Sequence, residues 1–355
     1  MTRYKRWLLG ATILVAVGAL ICAMAPVSEG GGAEGDSAAA IKGWKKGTGW
    51  GWIWGKEDEV GALNAMTPDT KRQALTLGSR GRVYDLGVTY SRNSFKWPGH
   101  SPGEVITYRG PEGVHRQLDH EFVKPGVNSV GTGWHSCALF INDNVATQID
   151  GLAHVTAGAD DHWYNGFREA DWGGNFGVRK CDATTIPPIV ARGVMLDIAG
   201  LKGEEALPPH YPISPADVDR ALAAQKVALK PGDVVLFRTG TLRYWGAEGA
   251  DHEKLRLHDS AGITLETAKY LIEEFGTMLI GSDTSGLEVN PAAEGSGTFI
   301  PVHNYLIVQQ GVHIGEFHNL EELARNKVYE FCYVAMTNKI AGSTAGFTLR
   351  PIAIH

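Results

Sequence analysis

Six short runs rich in Val, Ile, Leu and Phe recur along this chain, at 82–88, 137–141, 193–198, 233–238, 277–280 and 328–336. Each is long enough for a strand and short for a buried helix. Helical signals lie between some of them. Ser214-Pro215-Ala216-Asp217 predicts a helix start, with Ser214 as N-cap, Pro215 at the first helical position and Asp217 in the first turn. Its apolar positions Val218, Leu222 and Val227 can face a sheet. Thr264 opens a second helix with Ala268, Leu271 and Ile272 inward, and Gly276 supplies its stop. Asn319 opens a short third, with Glu322 three residues on. Lys230-Pro231-Gly232-Asp233 reads as a turn feeding a strand. The pattern predicts an α/β (α+β) protein with long irregular loops at 90–135 and 281–299, and long loops often carry function. There is no repeat of fixed period, which argues against a solenoid or propeller.

At 355 residues the chain has room for one large domain or two small ones. Its net charge of -6 lacks the basic footprint of a nucleic-acid binder. The N-terminus reads apart from the fold. Arg3, Lys5 and Arg6 precede an apolar run to Ala25, and Ala23-Met24-Ala25 fits the small-x-small rule for a secretory signal. The run is also long enough to remain as a membrane anchor. Residues 1–25 are therefore expected to be a signal peptide or anchor, 26–40 a flexible linker rich in Gly, Ala and Ser, and 41–355 one folded body. Export is the expected location (periplasmic, secreted or anchored), with membrane contact only through that N-terminal segment. Cys137, Cys181 and Cys332 match no zinc spacing. In an exported protein they allow one disulfide, although Cys137 and Cys332 sit in apolar runs that suggest burial.

Residues 147–154 place an amide, a carboxylate and an imidazole close together. Asp150 and His154 can converge on one cation, or one can bind metal while the other moves a proton. The plainer alternative is a strand end with a solvated Asp and a packed His. Downstream, residues 300–308 carry His303 and lead through Gly311 to Glu316. A helix or strand, a glycine turn and a returning strand can bring His303 back against Glu316. Asp150, His303 and Glu316 would then offer one nitrogen and two carboxylates, a set suited to Zn or Mn. Alternatively, His303 caps the glycine-rich loop and Glu316 pairs with a Lys or Arg. There is no G-x-S-x-G elbow, no P-loop and no G-x-G-x-x-G after a strand. The Trp-rich segment from Trp44 to Trp54 can form a sugar platform but is expected to pack against the body.

Several blocks carry a wider likeness. They are the segment from Trp54 to Asn64, Asp197 after Val194-Met195-Leu196, the turn and strand from Pro231 to Leu236, the block from Gly281 to Glu288, and the stretch from His303 to Glu316. Together, from about Trp52 to the C-terminus, they resemble the cyclase family, metal-dependent hydrolases that include bacterial kynurenine formamidase and isatin hydrolase. The family's signature, His-x-Gly-Thr-His-x-Asp-x-Pro-x-His, falls on Asn144 to His154. Thr147, Asp150 and His154 match it; Asn144, Gln148 and Leu152 replace two histidines and the proline.

The resemblance implies a single-domain cyclase-like swivelling β/β/α barrel. It implies Asp150, His303 and Glu316 as metal ligands and His154 as general base or acid. Amide oxygens are weak ligands, so one divalent ion, Mn or Zn, is expected rather than two, with Gln148 as a fourth ligand and Asn144 beside the substrate. The spacing from His303 to Glu316 is about one residue longer than the family's, which leaves His313 or His318 as substitutes for Glu316. The implied reaction is hydrolysis of an amide, cyclic amide or lactone-type bond in a small molecule, with Trp163 and Tyr164 walling the pocket. A lyase or dehydratase on the same fold is a second reading. An exported binding protein with a degenerate metal site is a third. A homodimer or homotetramer is also implied.

Overall fold

Five of the six apolar runs join one nine-stranded sheet. Its strands run in the order Val83–Asp85, Ile352–Ile354, Glu330–Ala335, Ile189–Asp197, Val234–Arg238, Leu279–Ser282, His313–Glu316, Gln148–Asp150 and Ala345–Gly346. The four strands from Ile189–Asp197 to His313–Glu316 are parallel, and the flanks are antiparallel. The central strands are buried along almost their whole length, which accounts for continuous apolar runs in place of strict alternation. This computed structural model describes residues 43–246 and 251–355. The leader expected at 1–25 and the linker at 26–40 lie outside the described residues. Among the described residues no helix is long and apolar enough to cross a membrane.

The predicted helices form where their caps stand. Ser214 and Asp217 make a reciprocal capping box at the start of Pro215–Gln225. Thr264 caps Leu265–Phe275, and Gly276 closes that helix in the left-handed region at φ 64°. Asn319 contributes less than expected: the short helix is Glu321–Arg325, its N-cap is Leu320, and the Asn319 side-chain Oδ1 accepts from the Glu321 N–H at 3.3 Å. Buried carboxylates pin the ends of the parallel strands. Asp283 accepts from the Thr239 and Gly240 N–H groups at 2.8 and 2.7 Å, and Arg238 donates to Asp197 at 2.8 Å and to Glu321 at 2.8 and 3.0 Å.

Two expectations change on folding. The 90–135 segment is not an irregular loop. It contains the strand Gly103–Arg109, paired antiparallel with Ser136–Ile141 in a separate two-stranded ribbon, and the helix Pro111–Gln117. That ribbon is exposed on both faces, so Cys137 is exposed and not a core hydrophobe; Cys181 and Cys332 are buried, and all three are free thiols. The Trp-rich segment packs as expected: Trp50 is buried with its Nε1 donating to the Thr277 carbonyl at 2.9 Å, and the Trp44 Nε1 donates to the Ile272 carbonyl at 2.8 Å.

His313 makes the core sensitive to acid. It is fully buried, neither ring nitrogen has a partner, and burial pushes its pKa down to about 3. An unfolded imidazole titrates near 6.5, so between these values the unfolded chain binds the extra proton. The stability that neutral His313 confers is complete above pH 6.5 and is lost as pH falls toward 3. With a chelator present throughout, urea unfolding of the parent should show a loss of about 2 kcal/mol between pH 7 and pH 5 from this group. His313→Leu should flatten that dependence; an equally steep one would place the acid-sensitive group elsewhere.

Candidate metal centre

The antiparallel pairing of Gln148–Asp150 with His313–Glu316 places Gln148 opposite Glu316 and Asp150 opposite Ile314. Side chains two apart share a face, so Gln148, Asp150 and Glu316 project to one side of the sheet. His303 arrives from elsewhere. Pro301–His303 is a short helical turn that continues as a π-helical segment, Asn304–Gln309, before the chain reverses at Gly311. Gly311 has φ 62°, and a Cβ there would stand 2.4 Å from the Tyr164 ring, so only glycine fits this turn. The chain then enters the strand that ends at Glu316. The helix, turn and strand read from the residues are all present.

Asp150, His303 and Glu316 bring one ligand atom each within 4.8 Å of one another, and all three are buried. The His303 Nε2 lies 3.6 Å from the Asp150 Oδ2 and 3.6 Å from the Glu316 Oε1. That is long for a hydrogen bond and close to the roughly 3.4 Å between neighbouring ligand atoms on a tetrahedral ion with bonds near 2.1 Å. The Asp150 Oδ2 is buried and accepts no hydrogen bond. An orphaned carboxylate oxygen facing an imidazole nitrogen across this gap fits a candidate cation site. Glu288 aligns the imidazole: it accepts from the His303 and Val302 backbone N–H groups at 3.1 and 3.0 Å and binds the His303 Nδ1 at 2.5 Å, which directs Nε2 to the other two ligands.

The electrostatics agree. Burial alone would depress the His303 imidazole, but Glu288, Glu316 and Asp150 override it and raise the ring to about 10. Burial, and then the Asp150 charge, push the Glu316 carboxyl up to about 8 against the pull of His303. Carboxylates outnumber positive charge here, a condition a divalent cation relieves.

Gln148 faces this group with its nitrogen. Its Nε2 lies 2.6 Å from Glu316 Oε2, 3.0 Å from Asn144 Oδ1 and 3.3 Å from Asp150 Oδ1, while its Oε1 is buried and unpaired. Ligation through oxygen, as read from the sequence, would require the amide to turn over and surrender those three contacts. As it stands, a neutral donor sits among oxygens that would otherwise suit a second ion.

Two cavities meet at His303. One, about 470 Å³, has His100, Asn144, His154, Glu316 and His303 in its wall. The other, about 680 Å³, is walled by Trp97, Leu257 and Arg256, and Ser285, Gly286, Phe299 and Ile300 border both. Asn144 and His154 therefore face the site they were expected to face. Trp163 and Tyr164 do not. Both are fully buried, the Tyr164 hydroxyl donates to Asp58 at 2.8 Å, and neither lines these cavities. The aromatic walls come from Trp97 and Phe299, in loops whose sequence carries no periodic signal. Neither substitute for Glu316 is needed: His313 is buried without partners, and the His318 Nε2 is engaged by the Tyr333 hydroxyl at 2.8 Å.

The mixed α/β fold that carries this buried His, Asp and Glu cluster has known relatives. The Cyclase family model matches residues 84–289, and this chain belongs to that family. The matched span includes Asp150, His154 and Glu288, while His303 and Glu316 lie beyond it. A crystal structure described as a novel cyclase superposes with a TM-score of 0.71 at 28% identity, over 85% of this chain and 96% of that one. Isatin hydrolase A from Ralstonia solanacearum aligns at 21% identity with a TM-score of 0.54, covering 81% of this chain and 98% of that chain. Isatin hydrolase A from Labrenzia aggregata aligns at 19% with a TM-score of 0.53, covering 79% and 97%. These two share the fold. The search of curated proteins found no match.

Proposed function

We propose that the protein is a metal-dependent hydrolase that opens an amide, cyclic amide or lactone-type bond. The observation that carries this reading is the convergence of Asp150, His303 and Glu316 beside a cavity that His154 also lines. Asp150, His303 and Glu316 would hold a single divalent ion, Mn or Zn, with Gln148 keeping a second one out. A bound ion would supply Lewis-acid polarisation of a carbonyl and make a water more acidic. His154 takes the proton of the attacking water. Its ring is free to do so, having no hydrogen-bond partner among the described residues. Asn144 is held by its amide-to-amide contact with Gln148 and offers a polar group to the substrate. The apolar cavity bordered by Trp97, Leu257 and Phe299 suits a flat, largely apolar body of drug-like size.

Elemental analysis of the purified protein, prepared without added metal or chelator, tests the ligand set. About one Mn or Zn per chain is expected. Two per chain would mean that Gln148 and Asn144 act as ligands. No metal, and none taken up on addition, would replace the hydrolase with a binding protein on an inherited fold. A screen of formamides, cyclic amides and lactones with the loaded protein follows from the expected result.

A further inference from the structure

His100 has no sequence feature to mark it, yet the fold delivers it to the site. Trp97 anchors its loop: the indole Nε1 donates to the Asp259 Oδ2 at 3.0 Å and to the Ser285 Oγ at 2.7 Å. Asp259 is itself buried and accepts from the Ser285 N–H at 2.7 Å. The short helical turn Pro98–His100 follows at once and puts His100 in the wall of the 470 Å³ cavity, with His154, Asn144, His303 and Glu316. Neither the His100 ring nor the His154 ring has a hydrogen-bond or ion-pair partner among the described residues. The two imidazoles are also close enough to interact. Burial, and then the His154 charge, lower His100 below the usual imidazole range, while Asp150 and Asp143 pull the other way.

Hydrolysis of an amide moves two protons at two places. One leaves the attacking water, and one must reach the nitrogen, which is too poor a leaving group to depart as an anion. A single imidazole can serve both ends only by moving between them. Two partnerless imidazoles on one cavity wall remove that need.

We propose that His100 is the second proton-transfer residue of this site, giving its proton to the leaving nitrogen while His154 takes the proton of water. The proposal rests on the hydrolase reading above. The water oxygen bonds to the carbonyl carbon, the C–N bond breaks with its electron pair on nitrogen, and that nitrogen takes the His100 proton. Burial disfavours a charged His100, so both rings start neutral: the proton that His154 takes from water passes along the shared wall to His100 and from there to nitrogen, and both rings end neutral.

The test compares an anilide with the 4-nitrophenyl ester of the same acid, because nitrophenolate leaves without protonation. His100→Gln should cut kcat on the anilide by about 100-fold or more and change the ester by less than about threefold. His154→Gln should depress both. Metal content and unfolding midpoint of His100→Gln should match the parent. Equal losses on the two substrates, no loss on either, or loss of metal from His100→Gln would overturn the assignment. A loaded parent that cleaves neither of these nor any formamide, cyclic amide or lactone would fail the hydrolase reading itself and take this proposal with it.

Discussion

Asp150→Asn should strip the protein of its metal and yet make the metal-free chain more stable. Asp150 is fully buried, one of its oxygens has no hydrogen bond, and its charge helps push the Glu316 carboxyl out of the usual carboxylate range. A bound cation would offset that cost in the parent. The substitution keeps shape and volume, removes one negative charge from a cluster short of positive charge, and removes one of three ligands. Metal affinity should fall by more than about 100-fold, beyond what the loss of a supporting contact typically costs. Hydrolysis should fall to background. In chelator, thermal unfolding of the variant should lie about 1–2 °C above the chelated parent, equivalent to about 1 kcal/mol in a domain of this size. Stoichiometric metal retained by the variant would remove Asp150 from the ligand set. A chelated variant less stable than the chelated parent would mean that the carboxylate is structural.

His154→Ala separates proton transfer from metal binding. The ring lines the cavity and makes no hydrogen bond or ion pair among the described residues, so its removal should change unfolding free energy by no more than about 0.5 kcal/mol. Metal content should match the parent. Against that background kcat should fall by about 10²–10⁴, the usual contribution of a positioned acid or base. Activity within a few-fold of the parent would transfer the role to another group. A fall in activity that tracks a fall in metal would make His154 a ligand.

Residue chemistry local to a few positions was legible before folding. Ser214 with Asp217, and Thr264 with Gly276, mark helix ends because caps satisfy backbone groups within one turn. The stretch from His303 through Gly311 to Glu316 reads as a reversal for the same reason, since a glycine able to take positive φ sits between two apolar segments. Asp150, His303 and Glu316 stand out as a set because only a few residue types bind cations. Other features depended on distant contacts. Nothing near Cys137 in sequence says that its apolar strand belongs to a ribbon standing clear of the core. The aromatic pair Trp163-Tyr164 has the composition of a pocket wall but is fully buried.

The sequence by itself determined the α/β class, the helix caps and the choice of Asp150, His303 and Glu316 as candidate ligands, because these follow from backbone hydrogen bonding and donor chemistry over short distances. Only the tertiary structure decided which face each group shows. Pairing Gln148 opposite Glu316 turned an amide nitrogen toward carboxylates where an oxygen ligand was expected. Anchoring Trp97 on Asp259 brought His100 beside His154, more than fifty positions away in the chain. Strand register and long-range anchoring are set by the whole core, so no local pattern of residues encodes them.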